Sequence, residues 1–198
     1  MIIRQTVVAA DNYSKGDKML ISYNDCISQY GNDYKLNKAV AAGELFKVKP
    51  GIYSTKRSCS ELEIVAFRYP NAVFTMNSAF YYHSLTDVIP DGYHLATEKD
   101  AAKIKDKSIK QYFVREERFD IGVTIKKYNG VIINIYDLER MLIELMRNKN
   151  KLPFDYYKEI IESYRSRVYD LDIQKLQEYI THFPKSQAIF EAIQLEVM

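Results

Sequence analysis

Cysteine is scarce in this chain: Cys26 and Cys59 are the two in 198 residues. Two thiols do not make a disulfide framework, and neither sits in a metal-ligand spacing. Tryptophan is absent, and the seven glycines form no phosphate-cradling loop. No apolar run approaches the ~20 residues needed to span a bilayer. The opening MIIRQTVVAADNYSKGDK has an apolar patch too short for a signal core. These absences argue against a secreted, membrane-spanning or disulfide-stapled protein and predict a soluble, cytoplasmic one. Charge of one sign is also lacking, with a formal net of only +2. What is present is a hydrophobic fraction of 47%, ample for a core, and 17 tyrosines.

The charge is unevenly spread. Residues 1–57 hold nine Lys/Arg against five Asp/Glu, an excess of four; residues 58–198 hold nineteen against twenty-one. The basic end coincides with the stretch around which the chain is organised, LISYNDCISQYGNDYKLNKAVAAGELFKVKPGIYST. Ser22 with Asp25 is a capping box. Tyr23, Cys26, Ile27 and Tyr30 then make one apolar helical face, on which Cys26 reads as a buried free thiol. Gly31 breaks the run. Asn32 caps a second helix whose stripe is Leu36, Ala39 and Val40, and Gly43 sits where a left-handed C-terminal cap belongs. Leu45–Val48 and Ile52–Ser54 flank Lys49-Pro50-Gly51 and predict a hairpin.

Helix, turn, helix and hairpin describe a winged helix-turn-helix over residues 1–57. Its second helix turns Tyr34, Lys35, Asn37, Lys38 and Ala41 to water, and its wing carries Lys47 and Lys49. Cations for phosphates and an amide for base edges are what a DNA reader needs. Arg57, just past the wing, adds a further phosphate contact. A winged helix that binds only protein has the same sequence pattern.

Residues 2–12 are expected to form a first helix and residues 14–17 a loop. Residues 58–198 read as a mixed α/β domain with a helical C-terminus, so the fold class is α+β. Ser60 opens a helix through Arg68, which Pro70 stops. Strands follow at Val73-Phe74, Tyr93–Thr97, Tyr112–Arg115, and Val123–Lys127 turning at Asn129-Gly130 into Val131–Tyr136. Ser78–His83 is expected to be helical, and Lys99–Lys110 to hold a short helix and a loop. Helices are expected over Leu138–Arg147, which Asp137 can cap, and over Phe154–Arg167, Ile173–Phe183 and Ser186–Val197.

Three ordered blocks resemble the AbiEi family, antitoxins of type IV toxin–antitoxin (abortive infection) systems. The first is Gly43-Glu44-Leu45-Phe46-Lys47-Val48-Lys49-Pro50-Gly51-Ile52-Tyr53. The second runs from Val73 to Asp87, with Ser78-Ala79, His83, Leu85 and Thr86, and continues to Ile89-Pro90 and Tyr93–Ala96. The third is Asp137-Leu138-Glu139-Arg140-Met141-Leu142-Ile143-Glu144-Leu145. Ser84 stands where the family commonly has glycine, Met141 where it has threonine, and Glu144 where it has aspartate. The resemblance covers about residues 20–147. It implies a winged helix that represses its own operon and a second domain that neutralises a nucleotidyltransferase-like toxin, antagonism without a stable toxin complex being expected.

Enzyme chemistry finds little support. His83, Asp87, Asp91 and His94 would need to converge to hold a metal, and packed histidines are expected instead. Pro90-Asp91 with Glu98-Lys99 lacks the residue a metal-nuclease motif needs between carboxylate and lysine. Asp170-Leu171-Asp172 reads as helix capping. No catalytic residue, metal ligand or cofactor is assigned. Glu139-Arg140 suggests an ion pair docking its helix to the sheet, and the aromatic, acidic helices from Phe154 onward are equally a core or a protein interface. The expectation is a DNA-binding autorepressor and antitoxin whose partners are its own promoter, on which a homodimer would double the basic excess, and the toxin. The alternatives are a protein-binding winged-helix module and, less favoured, a metal-dependent nuclease.

Overall fold

The computed structural model describes residues 19–198. The helix expected over residues 2–12 and the loop over residues 14–17 lie outside them. The fold is α+β, with a three-stranded and a five-stranded sheet among the described residues. The chain divides into two compact units, one reaching Pro70 and including Gly130–Ile132, the other Asn71–Asn129 with Ile133–Met198.

The first unit runs β1 (Leu20–Ser22), α1 (Tyr23–Tyr30), α2 (Asp33–Ala41), β2 (Phe46–Lys49), β3 (Ile52–Ser54) and α3 (Glu61–Arg68). Strand β3 is central, antiparallel to both β1 and β2. β1 has only three residues, too short for alternation to announce it. Cys26, Leu36, Leu45 and Tyr53 form one small core, on which Ile21, Ile27, Tyr30 and Val40 pack. Cys26 is a buried free thiol, as its place on the apolar face of α1 required. Leu20, Ile52 and Ile64 form a second core with Val48, Cys59 and Phe67. That second core moves the division of the chain from residue 57 to Pro70. Helix α3 contributes Ile64 and Phe67 to it, so α3 belongs with the first unit.

The five-stranded sheet has the order β6-β5-β4-β8-β7, from β4 (Val73–Phe74), β5 (Tyr93–Glu98), β6 (Ile109–Val114), β7 (Val123–Tyr128) and β8 (Val131–Tyr136), and belongs to the second unit but for Val131 and Ile132. β4 pairs antiparallel with β5 and parallel with β8, while β5 and β6 run parallel. The five strands fall on the five segments expected, and β6 begins three residues before its expected start. Asn129 and Gly130 take φ of 47° and 86° at the β7–β8 turn, the conformation an Asn-Gly hairpin demands.

Helix α4 (Met76–Tyr82) starts two residues earlier than expected, after Thr75, whose side chain makes no cap bond. It closes in a Schellman motif: Leu85 N–H donates to the Phe80 carbonyl and Ser84 N–H to that of Tyr81, each at 2.9 Å. Ser84 occupies the left-handed position, at φ 57°. Glycine takes that conformation without strain, which is a physical reason for glycine to be common at such a site. Residues 99–108 contain no helix, contrary to expectation, while a four-residue α5 (Glu116–Phe119) was not foreseen.

Helix α6 (Leu138–Asn148) is the hub, packed against α4, α8 (Ile173–Thr181) and α9 (Ser186–Glu196). A helix seen from all sides must bury its polar residues too, and every residue from Glu139 to Leu145 is buried. Asp137 caps it, accepting from Arg140 N–H at 2.8 Å, and also takes the Lys175 ammonium at 2.8 Å and the Tyr179 hydroxyl at 3.2 Å. Glu139 accepts from Asp172 N–H at 2.9 Å. The expected docking of Glu139 and Arg140 to the sheet is thus corrected. Glu139 ties α6 to the start of α8, and Arg140 pairs along its own helix with Glu144. Helix α7 (Phe154–Ser166) adds Ile160, Ile161 and Tyr164 to the core, the Tyr164 hydroxyl donating to the Leu138 carbonyl at 2.9 Å.

Candidate nucleic-acid interface

Helix α2 is held at both ends by its own sequence. Asn32 accepts from Lys35 N–H at 3.0 Å at the start. Glu44 N–H reaches the Ala39 carbonyl at 3.0 Å and Gly43 N–H that of Val40 at 3.1 Å at the end, with Gly43 at φ 76°. This is a second Schellman motif. Helix α1 is capped by Ser22, which accepts from Asp25 N–H at 3.2 Å and donates to the Asp25 carboxylate at 2.7 Å. The Tyr23 hydroxyl donates to Asp33 at 2.8 Å, joining the start of α1 to the start of α2. That bond, ahead of burial, pushes the Tyr23 phenol above its ordinary value. Leu36 and Ala39 are buried, and this sets the helix rotation.

At 100° per residue, Tyr34, Lys38 and Ala41 lie opposite the buried stripe, with Asn37 on one flank and Lys35 on the other. All five are exposed, Tyr34 by 78%. Lys47 is exposed on β2, in register with Tyr53. Arg57 is also exposed, but it follows β3 away from the Pro50-Gly51 turn. It therefore leaves the strand pair at the end opposite that turn. Lys49 differs from the sequence expectation: its ammonium pairs with Glu61 of α3 at 2.9 Å. A cation so engaged is less available to a phosphate. Lys56, next to Arg57, is exposed and was not singled out. Its signal in the sequence is adjacency to Arg57.

The residues weighed for metal chemistry do not converge. Among the described residues no group of three or more His, Cys, Asp and Glu could hold a metal ion. Asp91 precedes β5 and Glu98 ends it, and the six residues of the strand separate its ends by roughly 17 Å. Asp172 caps α8, accepting from Lys175 N–H at 3.0 Å, and Asp170 pairs with Arg167 at 3.1 Å. Both histidines are packed. His83 Nε2 lies 2.7 Å from the Tyr136 carbonyl and, facing an acceptor, carries the proton; His94 Nδ1 shares a hydrogen bond with the Tyr112 hydroxyl at 3.0 Å.

Burial pushes each imidazole down to about 4, against only a partial opposing pull from the Tyr136 carbonyl at His83 and from Asp91 at His94. A histidine depressed in the folded state stabilises the fold fully above its unfolded value near 6.5, and that stability is lost as pH falls towards 4. Each is expected to cost about 2 kcal/mol of stability on going from pH 7 to pH 5. Urea unfolding at the two pH values should report this loss, and the double variant His83→Asn/His94→Asn should flatten it. An unchanged slope in that variant would assign the acid sensitivity to other groups.

No protein-family model matches the chain, and no curated protein is significantly similar to it. Among the described residues no helix is long and apolar enough to cross a membrane.

Proposed function

We propose that the first unit is a winged helix-turn-helix that reads double-stranded DNA, with α2 as the recognition helix and the β2–β3 hairpin as the wing. The observation carrying this reading is one helix, capped at both ends, that offers Tyr34, Asn37 and Lys38 to solvent on adjacent positions. Asn37 supplies the amide for a base edge; Lys35, Lys38 and Lys47 supply charge for phosphates. Arg57 contributes charge from the far end of the strand pair, and Lys49 only after leaving Glu61. The chain is then a repressor of its own operon. The likeness of its three blocks to the AbiEi family supports a second role, as antitoxin to a nucleotidyltransferase-like toxin. No catalytic step is assigned to it.

Gel retardation on the promoter of the chain's own operon tests the DNA role. Lys47→Ala should weaken binding to all sequences and lower the salt slope by about 1. Asn37→Ala should cost about 1–3 kcal/mol on the operator and much less on random DNA. Equal loss on both would remove Asn37 from base readout. Failure of the intact protein to shift operon DNA at low salt would leave the first unit as a protein-binding module. Growth rescue on co-expression with a nucleotidyltransferase-like protein encoded beside it tests the antitoxin role, and persistent toxicity would discard it.

A further inference from the structure

The second unit contains a cavity of about 280 Å³ whose wall carries Arg115, Arg118, Arg140 and Arg147 against a single carboxylate, Glu144. Three of these guanidinium groups surround one ring: Arg118, Arg140 and Arg147 lie 5.8, 4.7 and 4.9 Å from the centroid of Phe183. Glu144 is fully committed. It accepts from Arg140 Nε at 3.2 Å and from Arg147 Nη1 at 2.7 Å, and its second oxygen takes Arg147 and Asn148. Arg140 spends its remaining donors on the carbonyls of Arg118 and Ile121. Arg115 and Arg118 form no ion pair among the described residues, although each adds positive charge to the same wall. The Arg118 guanidinium is pushed below its ordinary value by burial and then by repulsion from Arg147, Arg115 and Arg140, offset only by Glu117.

Like charges gathered around a concave surface repel one another until an anion enters. Nothing in the DNA reading uses this cavity, and the inference does not rest on that reading. We infer that this cavity is a binding site for a small phosphate-bearing molecule, with Arg115 and Arg118 contacting the phosphate and the Arg140–Glu144–Arg147 trio fixing the wall behind it. Guanidinium forks match phosphate oxygens in pairs, which favours phosphate over halide or a lone carboxylate. The volume lies just below the usual small-molecule range, so the ligand is no larger than about a mononucleotide. Residues of β6 complete the wall.

Calorimetric titration of the full chain at low salt with inorganic phosphate, pyrophosphate, AMP, adenosine and a 5′-phosphorylated oligonucleotide tests the site. Pyrophosphate and AMP should bind and adenosine should not. Tighter binding of AMP than of inorganic phosphate would identify a nucleotide as the source of the phosphate, and equal binding a free phosphate or diphosphate. Arg115→Gln and Arg118→Gln should each weaken AMP binding at least tenfold, and neither should lower the thermal midpoint of the free protein. Should Arg118→Gln fold poorly, the exposed Arg115 provides the same reading alone. No binding of pyrophosphate or AMP overturns the inference, as does undiminished binding in Arg115→Gln or binding confined to 5′-phosphorylated oligonucleotides.

Discussion

Arg140→Ala is expected to lower the unfolding free energy of the second unit by about 3–5 kcal/mol. The side chain is 1% exposed, and its contacts use every face of the guanidinium group. Nε and Nη2 meet Glu144, Nη1 meets the Arg118 carbonyl at 2.6 Å and the Ile121 carbonyl at 2.8 Å, and the plane lies 4.3 Å from the Tyr136 ring centroid. Alanine would leave two part-buried carbonyls without this donor and Glu144 with half its cationic partners. It would also open a void beside Tyr136 and Phe183. Lysine is no substitute, because one ammonium cannot span two carbonyls and a carboxylate in a plane. Arg140→Lys should therefore recover less than half of the loss. Chemical unfolding of the variants measures both values. A loss below about 1 kcal/mol for alanine would mean that the group barely repays its own desolvation, the general hazard of buried ion pairs.

Gly122→Ala is expected to cost at least about 3 kcal/mol through a different mechanism. Gly122 has φ +77°, where any Cβ is strained, and a Cβ there would stand 2.5 Å from Arg140 Cβ, 2.9 Å from Asp137 Oδ1 and 3.1 Å from a Tyr179 ring carbon. Two of those neighbours are the cap of α6 and the residue after its first turn begins. The Gly122 carbonyl also accepts from Asp137 N–H at 2.7 Å, so displacement of this loop pulls on the same cap. Gly130→Ala separates the two contributions. Gly130 has φ +86° but nothing within 4 Å of its Cβ position, so it should lose only about 1–2 kcal/mol. Equal losses at the two sites would show that backbone conformation, not crowding, governs both.

Local punctuation was legible in the sequence because its causes are local. Ser22, Asn32, Ser60, Asp137 and Asp172 each satisfy the first N–H groups of a helix from within three residues. Asn129-Gly130 and Gly43 announced their turns through backbone conformations that few residues tolerate. The elements that escaped, β1 and α5, are three and four residues long. No periodicity can accumulate over so short a span, and β1 exists only because β3 supplies its partner.

The chain alone determined where the capped helices α1, α2, α3, α6 and α8 begin, which face of α2 meets water, and that Cys26 is buried. Each depends on residues a few positions apart. Tertiary structure alone decided that α3 completes the first unit, that Lys49 turns to Glu61, and that α6 is enclosed on every side. It also gathered Arg115 and Arg118 to the wall that Arg140 and Arg147 share. Those outcomes depend on which distant segments meet, and burial, charge pairing and cavity shape are properties of that meeting rather than of any one stretch.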